Sequence, residues 1–240
     1  REIAAVNAFG RVFSSCASRP RLTKIVFHYA FPVAFSLEFF RCIAQKFECN
    51  SLTSGILIND GQGRFDFRAL PRIAQASPCF GVVTGDFNGD ALVDIYAVQN
   101  FFGPQRETGY MDGGVSILLL GSGGQHGPRF EPLRADRSGL VVSGDAKGLV
   151  TTDLNGDGWL DFLVGINNGQ LMAFENRALS SHQPLLVRLV GSTGNPTAVG
   201  TRVTVQLQSG PNQTAEVHAG SGYLSQTTAA LQFGVPNGDV

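Results

Sequence analysis

The chain has 240 residues, enough for one large domain or two small ones with a buried core. Charged residues make up 15% and hydrophobic residues 43%, which argues against disorder over most of the chain, and a net charge of −1 gives no electrostatic case for nucleic-acid binding. No run of 18 clean apolar residues occurs, so no membrane-spanning helix is expected.

Residues 1–50 stand apart. They carry seven Lys/Arg against three Asp/Glu, three of the four cysteines (Cys16, Cys42, Cys49) and eight of the eighteen phenylalanines. The break places a boundary near Asn50 and Ser51, and leaves 1–50 as an atypical N-terminal segment of unclear structure. Six residues separate Cys42 from Cys49, which is not a zinc-ligand spacing. A disulfide among these three is one reading, and free or buried thiols another. The apolar stretch 25–40 (IVFHYAFPVAFSLEFF) is too short and too interrupted for a bilayer span. It reads as the core of a secretory signal, as an ill-defined helix or strand, or as sequence outside the fold.

From residue 51 the chain becomes short β-type runs punctuated by Gly, Asn and Asp. Residues 81–98 (GVVTGDFNGDALVDIYAV) and 148–165 (GLVTTDLNGDGWLDFLVG) share eight of eighteen positions at a constant offset of 67. The upstream stretch 57–65, ending in Arg64-Phe65, resembles 119–130, ending in Arg129-Phe130. Self-similarity at a fixed period signals a repeat architecture.

The shared core is D-x-N-x-D-x-x-x-D. It comprises Asp86, Asn88, Asp90 and Asp94 in the first copy, and Asp153, Asn155, Asp157 and Asp161 in the second. Oxygen side chains at positions 1, 3, 5 and 9 can converge on one cation if the loop curls tightly, with a backbone carbonyl from Leu92 or Leu160 completing the set. An all-oxygen set in a flexible loop suits Ca²⁺, and the absence of His and Cys disfavours Zn²⁺. The competing reading is an ordinary Asp/Asn/Gly turn. The first loop has Ala91 at its sixth position, where the second has Gly158, so Ala91 is expected to bear a costly backbone angle. An EF-hand is excluded, because position 12 is Ala97 or Val164 and the flanks read as strands: 82–84 and 95–98 around the first loop, 162–164 after the second.

Asp-Phe-Asn-Gly-Asp at 86–90, Asp-Leu-Asn-Gly-Asp-Gly at 153–158 and the preceding Arg-Phe turns resemble FG-GAP, or VCBS-type, repeats. That resemblance implies β-propeller blades across 51–177 with Ca²⁺ in the loops between strands. The piece at 170–177 (QLMAFENR) resembles a remnant of a further repeat. Closed propellers need at least four blades, so two repeats imply a partial one.

After a turn-like linker at 178–184, residues 185–190 and 200–207 read as strands. In the latter, Val203, Val205 and Leu207 share one face and Arg202, Thr204 and Gln206 the other. Residues 216–218 and 231–235 read as further short strands. The run at 187–189, Ala198-Val-Gly-Thr-Arg-Val-Thr-Val205, the 220–226 segment (GSGYLSQ) and Phe233-Gly-Val235 resemble an ASPIC/UnbV domain over 185–240, as in cartilage acidic protein-like extracellular proteins. Tyr223 reads as a packed aromatic or as a ligand-stacking ring.

No G-x-S-x-G elbow, Walker loop or H-E-x-x-H is present, and His28, His126, His182 and His218 are isolated from Cys and carboxylate clusters. The expected fold is all-β, a partial propeller followed by a small β-sandwich-like unit. The expected function is a calcium-binding, non-catalytic, extracellular binding or adhesion module, periplasmic or surface-bound in a bacterium. Its partner would be an unidentified protein or glycan. The alternatives are an enzyme or biosynthetic accessory protein of the UnbV type, or a fragment without independent function.

Overall fold

The computed structural model describes the backbone of Ile3–Val6 and residues 52–104, 109–123, 127–177, 183–208, 210 and 212–236. The disulfide and signal readings for 1–50 therefore lie outside the described residues. Within them the fold is all-β, and the helical content is one 3-10 turn, Arg72–Gln75, and one four-residue turn, Ala135–Ser138.

Three sheets follow one another along the chain. β1 (Ile3–Val6), β2 (Gly55–Asn59) and β3 (Phe65–Ala69) form an antiparallel trio. β4 (Cys79–Gly85), β5 (Asp94–Gln99), β6 (Ile117–Ser122) and β7 (Arg129–Leu133) form a four-stranded antiparallel meander in sequence order. β8 (Ala146–Thr152), β9 (Asp161–Ile166) and β10 (Met172–Phe174) form the third. The repeat at offset 67 therefore superimposes β4–β5 on β8–β9, and the stretch at 170–177 supplies β10. Among the described residues the sheets close no ring.

The two main cores lie between successive sheets. One joins Ile56 and Ile58 to Ile95, Ile117, Leu119 and Phe130. The other joins Tyr96, Val98 and Leu118 to Leu149, Phe162 and Val164. β4 passes so close to β8 that a Cβ on Gly81 would stand 2.7 Å from Leu149 Cβ, which only glycine permits. Repeat position two shows the stacking directly. Phe87 is buried edge-on against Phe162, with ring centroids 4.8 Å apart, whereas its counterpart Leu154, with no following sheet over it, is 51% exposed.

The C-terminal unit has two antiparallel pairs, β11 (Gln183–Val187) with β14 (Leu231–Val235), and β12 (Arg202–Val205) with β13 (Gln213–Glu216). The alternation read from 202–207 holds, with Val205 and Leu207 buried and Arg202, Thr204 and Gln206 exposed. The strand expected at 216–218 falls earlier, at β13, because Val217 bonds across a loop: its amide donates to Thr201 and its carbonyl accepts from Gly200.

Candidate functional site

Each Asp loop links the first two strands of its sheet, and the two loops have the same internal wiring. Asp86 Oδ1 accepts the Gly89 amide at 2.7 Å and Oδ2 accepts Ala91 at 2.7 Å. Asp153 accepts Gly156 at 2.7 Å and Gly158 at 3.2 Å in the matching positions. Asn88 Oδ1 accepts the Asp90 amide and Asn88 Nδ2 donates to Asp90 Oδ2, both at 3.1 Å. Asn155 repeats this with Asp157, at 3.0 and 2.9 Å. Asp90 Oδ1 accepts Leu92 and Asp157 Oδ1 accepts Trp159, each at 2.8 Å. This register corrects one expected residue. The counterpart of Leu92 is Trp159, not Leu160, whose amide points out of the loop to Gln232.

The ninth position closes each loop and anchors the next strand. Asp94 Oδ2 accepts Phe87 at 2.9 Å and Oδ1 accepts Gly121 on β6 at 2.8 Å. Asp161 Oδ2 accepts Leu154 at 2.8 Å and Oδ1 accepts Asn176, just past β10, at 2.7 Å.

Positions four and six take left-handed backbone in both loops. The angles are φ 81° at Gly89 and 80° at Gly156, then 68° at Ala91 and 90° at Gly158. The strain expected at Ala91 is thus present, in a non-glycine residue that pays for it sterically.

Asp86, Asp94 and Asp161 are buried. Burial pushes the Asp94 carboxyl up to about 7, against the pull of the Gly121 and Phe87 amides and with the charges of Asp86 and Asp90 adding to the rise. Burial likewise raises Asp86 above its ordinary value, although three loop amides bond it. Among the described residues no Lys, Arg or His forms an ion pair with any loop carboxylate. No three His, Cys, Asp or Glu side chains converge there as a ready-made metal cage, because the loop oxygens face backbone amides. The donor chemistry still fits a hard cation: all ligands are oxygen, each carboxylate oxygen keeps acceptor capacity, and the buried negative charge lacks a counter-charge.

Sequence reasoning missed what lies over the loops. Gln232 on β14 donates from Nε2 to the Asp86 carbonyl and accepts the Leu160 amide at Oε1, both at 2.9 Å. Asn176 Nδ2 donates to the Phe87 carbonyl at 3.0 Å, tying the third sheet to the first loop. Gly234 lies against the Asp86 carboxylate. A lone Gln or Gly in a strand carries no signal for such contacts.

A second polar cluster, also unforeseen, joins the second and third sheets at the end away from the loops. Lys147 Nζ donates to the Asn100 carbonyl at 2.8 Å and to Asp145, and stands 3.6 Å over the Phe80 ring. Asp145 also accepts Asn167 Nδ2 at 3.0 Å and the Phe102 amide at 3.3 Å. Tyr223 lies at this end, its ring 5.4 Å from the Phe80 ring and 46% exposed.

Residues 191–240 match the family model described as ASPIC and UnbV. Over 180 residues, 73% of this chain, the sequence is 28% identical to cartilage acidic protein 1 of Homo sapiens, and 27% identical to the protein of that name from Mus musculus. The chain spans about a quarter of the length of these relatives, since the matched stretch is 26% of each.

Proposed function

We propose that the chain is a calcium-binding, non-catalytic binding module of an extracellular protein, with its three sheets acting as FG-GAP-type propeller blades. The supporting observation is the duplicated loop: seven matched backbone-to-side-chain and Asn–Asp contacts recur in each copy, around carboxylates with no cationic partner among the described residues. Asp86, Asn88, Asp90, the Leu92 carbonyl and Asp94 would hold one ion. Asp153, Asn155, Asp157, the Trp159 carbonyl and Asp161 would hold the other. Calcium supplies the missing counter-charge and stiffens the turn. The chain's own residues hold the third strand through Asp94 and Asp161 and seat the C-terminal unit through Gln232.

Partner contact is assigned to the end away from the loops, because the loop end is covered by β14. Exposed Tyr110, stacked on Phe102 at 4.9 Å, and Tyr223 lie at that free end and suit a protein or glycan surface. Extracellular calcium would fill even weak loops, with Kd of about 10⁻⁴ to 10⁻³ M.

The test is thermal unfolding of the full chain in 2 mM CaCl₂ and in excess EGTA, for the parent, Asp86→Ala and Asp153→Ala. Binding at those affinities adds about 0.6–1.8 kcal/mol per loop, or roughly 1–7 °C in Tm. Each variant should lose its share of the calcium-dependent rise, whatever its Tm in EGTA. Identical cooperative melts in the two buffers would leave the loops as turns and overturn the calcium reading.

A further inference from the structure

The C-terminal unit does not hang from the sheets on a tether. It covers both loops at once. Gln232 bonds one loop through its amide donor and the other through its amide acceptor. Two residues on, Gly234 faces Asp86 so closely that a methyl group there would overlap Oδ2, and Gln213 Nε2 holds the Gly234 carbonyl at 2.6 Å from the other side. Ala91, the left-handed residue of the first loop, shares a core with Val205, Leu207, Val217, Leu231 and Phe233. Upstream of β14 the chain runs along β8, with Ser225 Oγ donating to the Leu149 carbonyl and the Thr228 amide to the Thr151 carbonyl, each at 3.1 Å.

We propose that Gln232 is a positioning residue that couples the two Asp loops, with β14 as their shared wall; this rests on the calcium reading above. The primary amide is planar, so Nε2 and Oε1 move together. Any shift of the Asp86 carbonyl as the first loop tightens is carried to the Leu160 amide, which lies between Trp159 and Asp161 of the second loop. The primary amide serves both sides, because Asp86 offers an acceptor and Leu160 a donor. A Glu would set an acceptor against an acceptor.

The second loop contains its own reporter, since Trp159 is the chain's one tryptophan. The experiment is a Ca²⁺ titration of the full chain, followed by Trp159 fluorescence, in the parent, Asp86→Asn, Gln232→Met and the double variant. Gln232→Asn, which keeps both groups on a shorter stem, replaces Gln232→Met if the latter does not fold. Asp86→Asn should weaken the Trp159 midpoint by about threefold or more in the parent background and leave it unchanged without Gln232. An equal shift in both backgrounds, or no shift in the parent, overturns the coupling. If Trp159 is silent and calorimetry shows no calcium binding, the calcium reading falls instead. The coupling is then judged in EGTA, where Tm losses from Asp86→Asn and Gln232→Met must be non-additive. Additive losses would overturn it there.

Discussion

Gly234→Ala is the sharpest test of how the C-terminal unit sits. The added methyl would occupy the space of Asp86 Oδ2, the oxygen that accepts the Ala91 amide at 2.7 Å. Either β14 withdraws or the carboxylate turns away. Turning away gives up a hydrogen bond to a charged acceptor, worth about 1.5–3 kcal/mol, and forcing the backbone apart costs about 1–3 kcal/mol. Whichever gives way, the expected loss is about 1–3 kcal/mol, or roughly 2–12 °C in Tm for a chain of this size. Gly194→Ala is the control, because a Cβ there meets nothing within 4 Å and its backbone is not left-handed. It should fall within about 0.5 kcal/mol of the parent. Urea and thermal unfolding in EGTA measure both. Adding Asp86→Ala to Gly234→Ala should cost less than the two separate losses combined, since the clash is then relieved. A Gly234→Ala protein as stable as the Gly194→Ala control would refute the packing of β14 on the first loop.

Lys147→Ala should cost about 3–5 kcal/mol, because it leaves Asp145 buried without its cation. Burial alone would raise the Asp145 carboxyl, but the bonds from Lys147 and Asn167 and the Lys147 charge outweigh it and hold the group low. That stabilisation is present above the unfolded value of about 3.9 and is lost as pH falls below it. The gap between parent and variant in urea midpoint should therefore narrow between pH 7 and pH 3, and an equal gap at both would count against the assignment. Cys79 is buried beside Gln99, and burial pushes its thiol up to about 11 against that hydrogen bond. Peptide mapping at pH 8 should find Cys79 unalkylated in the folded chain and alkylated in urea; rapid labelling of the folded form would contradict its burial. Ala91→Gly should be near neutral, because relief of about 1 kcal/mol of left-handed strain is offset by about 0.8 kcal/mol of lost methyl burial. Gly158→Ala gains little burial and should cost about 1–2 kcal/mol. Equal effects at the two positions in denaturant unfolding would show that the loops do not share a backbone.

The loops and their flanking strands were legible because everything that builds them is local. Within each loop the carboxylates reach amides two to seven residues away, and only Asp94 and Asp161 also reach beyond it; the alternation of 202–207 shows in the burial of Val205 and Leu207. What escaped is non-local. Gln232 meets Leu160 and Asp86 across 72 and 146 residues, and Asn176 meets Phe87 across 89. The shift from Leu160 to Trp159 shows how a one-residue slip in a loop changes which carbonyl is named. The Lys147 cluster escaped because Asn100, Asp145 and Asn167 become neighbours only once two sheets stack.

The ninth-position carboxylate has one more consequence. Asp94 captures the backbone of the third strand at Gly121, and Asp161 captures it just past that strand at Asn176, although these residues lie 27 positions after Asp94 and only 15 after Asp161. Strand placement is thus independent of the length of the connection between the second and third strands. That connection is a permissive point, where residues can be gained, lost or grafted without resetting the sheet behind it.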